Sequence, residues 1–165
     1  MYTHRSLLVA LIDDDPNMRE MLNDFFTGKY RNCKIESYST GEDALQTMTE
    51  EPNLIVLDYH LDSSDAAAMN GLQVLKKVKE KFPNVPVIFL SGQEKAEVAA
   101  NTMKYGAYDY IVKNESAFHR LEIIFNNILG HVELKKNLGT QKFFNTLLVI
   151  LVAAMLIGFI VSKLT

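Results

Sequence analysis

The chain has 165 residues, 22% charged and 48% apolar, and a net charge of −3. That length builds one domain with a real core rather than two, and the negative balance offers no basic field to a nucleic-acid backbone, which excludes DNA and RNA as partners. One cysteine, Cys33, rules out an internal disulfide, and four scattered histidines, His4, His60, His119 and His131, give no pair at structural-zinc spacing.

The first apolar run, Leu7 to Ile12, has the pattern of a strand buried on both faces of a parallel sheet. Six residues before three aspartates are too few for a secretion signal, so the folded part is expected in the cytoplasm. Met18, Met21, Leu22, Phe25 and Phe26 then form one helical stripe, with Asp15 as N-cap, Pro16 as the first helical residue and Gly28 as the stop. Residues 33–38 read as a strand and 41–50 as a helix carrying Ala44, Leu45 and Met48. Leu54 to Leu57 is another buried strand. After a polar loop, Gly71 to Phe82 is a helix with Leu72, Leu75, Val78 and Phe82 on one face. Val85 to Leu90 is the fourth strand, 94–105 the fourth helix, and Tyr108 to Val112 the fifth strand. A last amphipathic helix begins near Ser116 and runs through Phe118, Leu121, Ile124, Phe125, Ile128 and Leu129. Five strand-then-helix repeats with short connections imply an α/β fold, a parallel sheet covered on both faces.

In such a sheet, ligands bind beyond the carboxyl ends of the strands. Here the first strand ends in Asp13-Asp14-Asp15, the third in Asp58, the fourth in Ser91-Gly92 and the fifth in Lys113. Carboxylates gathered at one place repel unless a hard cation neutralises them, and oxygen ligands with retained water suit Mg2+ between Asp13, Asp14 and Asp58. Lys113 as a point charge and Ser91 as a donor provide a place for an anion. Together these are the parts for phosphoryl transfer onto an aspartate. Asp15 is read as a helix cap and Cys33 as a small hydrophobe on the second strand, while His119 and His131 are surface residues.

Leu11-Ile-Asp13-Asp14-Asp15-Pro16, Val56-Leu-Asp58-Tyr-His60, Phe89-Leu-Ser91-Gly92 and Gly106-Ala-Tyr-Asp-Tyr110-Ile-Val-Lys113 stand in order on the expected elements. Over about residues 5–130 they resemble the response-regulator receiver domain of two-component signalling. The resemblance implies a five-stranded doubly wound, flavodoxin-like sheet of order 2-1-3-4-5. It implies Asp58 as the phosphoacceptor, Asp14 as a direct Mg2+ ligand, Asp13 as a ligand through water, and the backbone carbonyl of His60 completing the metal site. Ser91 and Lys113 would hold the phosphoryl group, and Tyr110 with Ser91 would form the switch. The implied partner is a histidine kinase or histidine phosphotransfer protein, and the implied catalysis is limited to the chain's own phosphorylation and dephosphorylation. Phosphorylation in this family reshapes the face of the fourth helix, fifth strand and fifth helix, which gives a homodimer as a further expectation.

Two positions depart from the family pattern. Asn114 follows Lys113 where proline after a cis bond is common, and since a cis bond without proline costs about 2.5–4 kcal/mol, the Lys113–Asn114 bond is expected trans. Asp62 replaces a common proline, and the loop from Tyr59 to Asn70 is longer.

After residue 142 the only charge is Lys163, and from Phe143 to Val161 run 19 residues without one. As a helix they span about 28 Å, close to the hydrocarbon core of a bilayer, and they have no polar face. Lys135, Lys136 and Lys142 precede them, a bias that places the N-terminal side in the cytoplasm. The resulting organisation is a receiver domain at 1–130, a linker or fifth-helix extension at 131–142, a single-pass transmembrane tail anchor in the cell (inner) membrane at 143–161, and a short tail at 162–165. Ala154 and Gly158 make a small-xxx-small pair that would let two anchors pack. The competing reading is a membrane scaffold that keeps the fold without being phosphorylated, whose signature would be loss of Asp58, Lys113 or the acidic pair. A metal-dependent aspartyl phosphatase would carry a second aspartate where His60 stands.

Overall fold

A computed structural model describes residues 6–61, 68–92, 95–130, 146 and 148–150. The linker at 131–142, Ala154 and Gly158, Asp62, the tail at 162–165 and most of the apolar segment lie outside these residues. The chain divides into two compact units, residues 1–123 and 124–165.

In the first unit five parallel strands alternate with helices: β1 (Leu7–Ile12), α1 (Pro16–Lys29), β2 (Cys33–Tyr38), α2 (Gly41–Thr47), β3 (Leu54–Leu57), α3 (Gly71–Lys81), β4 (Val87–Ser91), α4 (Ala96–Lys104) and β5 (Asp109–Val112). A final helix, α5 (117–130), begins in this unit and continues into the second. The strand order is β2-β1-β3-β4-β5, as expected for the flavodoxin-like arrangement. β1 pairs with both β2 and β3, placing Ile12 opposite Tyr38 on one side and Leu57 on the other. Every residue of β1, β3 and β4 is buried, the burial that continuous apolar runs need when helices cover both faces. The edge strand β2 is half exposed, so Cys33 is half-buried rather than enclosed.

Several boundaries differ from the sequence reading. Gly28 does not stop α1; the helix runs on to Lys29 with Tyr30 as C-cap, and the reversal into β2 is made by Asn32 at φ 61°. Met21, expected on the buried stripe of α1, is 52% exposed, while Leu22 and Phe26 carry the burial. α2 ends at Thr47 instead of residue 50, because the Lys81 ammonium takes the carbonyls of Leu45 and Met48 at 2.9 and 2.6 Å. α3 buries Val74, Leu75 and Val78, leaving Leu72 and Phe82 half-buried. β4 starts at Val87, after a proline that has no N–H for the ladder, and takes in Ser91. α4 is shorter by two residues at its start and one at its end, and β5 starts at Asp109.

Candidate functional site

The sheet ladder extends one residue past the apolar runs. The Asp13 N–H donates to Tyr38 O at 3.2 Å, the Asp58 N–H to Ile12 O at 2.8 Å, and the Lys113 N–H to Ser91 O at 2.7 Å. These bonds set the residues following β1, β3 and β5 side by side at the carboxyl end of the sheet. Asp15 then leaves the ladder and caps α1, its carboxylate accepting from Asn17 N at 2.9 Å ahead of Pro16, the cap role read from sequence.

The Lys113 ammonium sits between two carboxylates, 2.9 Å from Asp13 Oδ2 and 3.0 Å from Asp58 Oδ2. Asp13 Oδ1 also accepts the Asp15 N–H at 3.0 Å, and Asp58 Oδ1 faces the His60 N–H at 3.4 Å. Asp13 and Asp58 are only 2% and 7% exposed, so these charges are held with little water to screen them. Burial pushes the Asp13 carboxyl above its ordinary range despite the Lys113 hydrogen bond and charge. Burial also opposes the Lys113 charge, but hydrogen bonds and attraction from Asp13 and Asp58 outweigh it and raise the ammonium above its ordinary value.

Asp13, Asp14 and Asp58 each bring a carboxylate oxygen within 4.8 Å of the others, with Asp14 half-buried at the mouth. Three hard oxygen donors, in a group without histidine or cysteine, fit Mg2+ and do not fit a zinc centre. His60 is exposed and lies beside Tyr59, ring centroids 5.0 Å apart. The family resemblance assigns His60 a role through its backbone carbonyl; its backbone N–H points toward Asp58.

Ser91 is fully buried at the end of β4, joined through its carbonyl to the Lys113 backbone. Tyr110 is 7% exposed and its ring stacks on Phe89, centroids 6.3 Å apart, so it faces the core on the α2–α3 side of the sheet. The Lys113–Asn114 bond is trans. Asn114 instead accepts from Ser116 N and Oγ through its side chain, opening the turn into α5.

Two contributors to the site were not singled out from sequence. Arg19, one turn into α1, donates from its guanidinium to the Asp13 carbonyl and ties the acidic loop to the helix. Gly71 packs against the Asp58–Tyr59 backbone, and its N–H donates to Tyr59 O at 3.1 Å. The dipeptide Asn70-Gly71 was the available signal, since Asn70 and Gln73 form a capping box that starts α3 at this glycine.

Residues 9–124 match the family model of the response regulator receiver domain. The chain is 36% identical over 106 residues to a putative NtrX-like response regulator of Rickettsia bellii, covering 64% of this chain and 21% of that protein. It is 34% identical over 108 residues to the transcriptional regulatory protein CssR of Bacillus subtilis, covering 66% of this chain and 45% of that one. The chain thus spans about a fifth to under half the length of these relatives. Among solved structures, the receiver domain of NtrX from Brucella abortus aligns with a TM-score of 0.65 at 26% identity, covering 74% of this chain and 98% of that chain.

Proposed function

The chain belongs to the response regulator receiver domain family, and from that premise we propose that it is a membrane-tethered phosphoacceptor in two-component signalling. Asp58 takes a phosphoryl group from the phosphohistidine of a histidine kinase or phosphotransfer protein, or from a small acyl phosphate. The observation that carries this reading is the Lys113 ammonium held between the buried carboxylates of Asp13 and Asp58. A scaffold would not need to keep that arrangement of charges in its core.

The Asp58 carboxylate needs no base to attack phosphorus. An Asp58 O–P bond forms as the donor's N–P or O–P bond breaks, and the electron pair leaves with the donor. Lys113 offsets the negative charge of the incoming group and the Ser91 hydroxyl donates to it. In hydrolysis water attacks phosphorus, the Asp58 O–P bond breaks, and inorganic phosphate leaves the restored carboxylate. Asp13, Asp14, Asp58 and the His60 carbonyl would hold Mg2+, which supplies neutralising charge to the carboxylates and phosphoryl oxygens when bound. Tyr110, already packed inward on Phe89, is assigned as the residue that transmits the state of Ser91 to β5.

The membrane part of the proposal rests on the uncharged stretch 143–161. Within it, residues 146 and 148–150 are helical, and the large aliphatic residues Leu148, Val149 and Ile150 are 62%, 67% and 60% exposed. Among the described residues no helix is long and apolar enough to cross a membrane. The assignment of a cytoplasmic receiver on a single-pass tail anchor therefore comes from composition and from the lysines ahead of the segment.

The test is incubation of the full chain in detergent with acetyl phosphate and Mg2+. The expected product is heavier by one phosphoryl group, is lost in Asp58→Asn and is blocked by EDTA. An undiminished yield from Asp58→Asn refutes the acceptor assignment.

A further inference from the structure

The edge of the domain farthest from Asp58 carries charge and aromatic surface that phosphoryl transfer does not use. Each helix returns from the carboxyl end of one strand to the start of the next, so α3 and α4 finish at that far edge. There Lys76 Nζ lies 4.0 Å from the centroid of the Tyr105 ring and Lys104 Nζ 6.0 Å from it. Tyr105, Tyr108 and Met103 are 39%, 43% and 46% exposed, and Lys77, next to Lys76 on α3, is exposed as well.

The charge of this region runs against that of the chain. Over residues 68–92 and 104–112 five lysines face two acidic residues, Glu80 and Asp109, although the whole chain is at −3. Among the described residues no ion pair joins Lys76, Lys77 or Lys104 to a carboxylate. The chain also leaves the first unit at this level. Lys29, the last residue of α1, pairs with Glu122 of α5, so α5 has descended from the site to the far edge by the time it reaches Ile123.

We infer that this edge, with Lys76 and Lys104 beside the Tyr105 ring and with Lys77 and Tyr108 exposed, docks on the anionic headgroups of the membrane that the tail enters. The inference rests on the tail-anchor reading. Lysines held near an anionic leaflet strengthen attachment by roughly fivefold each, and tyrosines with an apolar body and a polar tip suit the headgroup layer. Ring and cation already sit together, so little side-chain ordering remains to be done on docking. In this orientation the carboxyl ends of the strands, and Asp58 with them, face away from the lipid toward a soluble donor.

Lys95 and Lys104 provide an internal control, being exposed at opposite ends of the same helix. The full chain is reconstituted in neutral phosphatidylcholine vesicles and in vesicles that also contain phosphatidylserine, then acylated briefly with a water-soluble amine reagent. Peptide mass spectrometry reads the labelling ratio of Lys104 to Lys95. On anionic vesicles the ratio is expected to fall about fivefold, to recover at high salt, and to recover in Lys76→Gln/Lys77→Gln. An unchanged ratio in a chain that floats with the vesicles overturns docking and leaves the anchor standing. Equal protection on neutral vesicles also overturns it, pointing to a second copy as the cover. Failure to float with neutral vesicles overturns the anchor and the docking that rests on it.

Discussion

Gly71 lies so close to Asp58 that a Cβ there would collide with the Asp58 carbonyl oxygen and sit 2.9 Å from Tyr59 Cα. Both obstacles are backbone, which cannot rotate away as a side chain would. Gly71→Ala is therefore expected to cost about 1–3 kcal/mol and to displace the acceptor aspartate. Urea unfolding gives the stability loss, and acetyl phosphate labelling gives a phosphorylation rate below that of the parent chain. Unchanged values in both would mean that the loop after β3 yields freely.

Lys113 neutralises two carboxylates that are 3% and 9% exposed at their side chains, so removing it leaves an uncompensated pair. Loss of one partner from a buried ion pair costs about 3–5 kcal/mol. Lys113→Met is expected to lose stability of that order in EDTA and to regain part of it in Mg2+, with a larger metal-dependent shift of the urea midpoint than the parent shows. Equal shifts in the two proteins would argue that the ammonium and the cation do not neutralise the same charge.

The strands and the polar residues at their ends were legible because both signals are local: continuous apolar runs, and an abrupt charge where each run stops. Asp13, Asp14, Asp58 and Lys113 could be grouped because parallel strands align their carboxyl ends. The end of α2 was not legible, since it depends on Lys81, 33 residues after Met48, reaching back to two open carbonyls. Arg19 was hidden for a similar reason, as nothing in the spacing from Asp13 to Arg19 says that a guanidinium folds back onto a backbone carbonyl. Gly28 carries a false signal, since glycine commonly ends a helix, whereas here the chain reverses at Asn32, whose backbone is left-handed.

The same glycine offers a stabilising substitution. Gly28 lies inside α1, and a Cβ there would meet nothing within 4 Å. Gly28→Ala removes backbone freedom from the unfolded chain at no steric cost, so it is expected to raise stability by about 0.4–1 kcal/mol. A higher urea midpoint with an unchanged m-value is the expected result, and a lower midpoint would mean that α1 ends before this residue.

Cys33 carries the last prediction. Burial pushes its thiol from 9.0 up to about 11. Two consequences follow from one cause. At pH 8 the thiolate fraction in the folded protein is about a hundredfold below that of an ordinary thiol, so iodoacetamide should react correspondingly slowly until urea exposes the residue. The folded state also favours the neutral thiol, so the stability this provides is fully present below pH 9.0 and is lost as pH rises through about 11. Tyr38 acts in the same direction, its hydroxyl raised from 10.0 to about 12 by burial and by the hydrogen bond it gives to Glu36. Stability should therefore fall across pH 9–11, and Cys33→Ala should flatten the first part of that fall while leaving the Tyr38 part in place. Urea midpoints at pH 8, 9.5 and 11 separate the two contributions, and parallel curves for the parent and Cys33→Ala would show that the thiol titrates as if free in water.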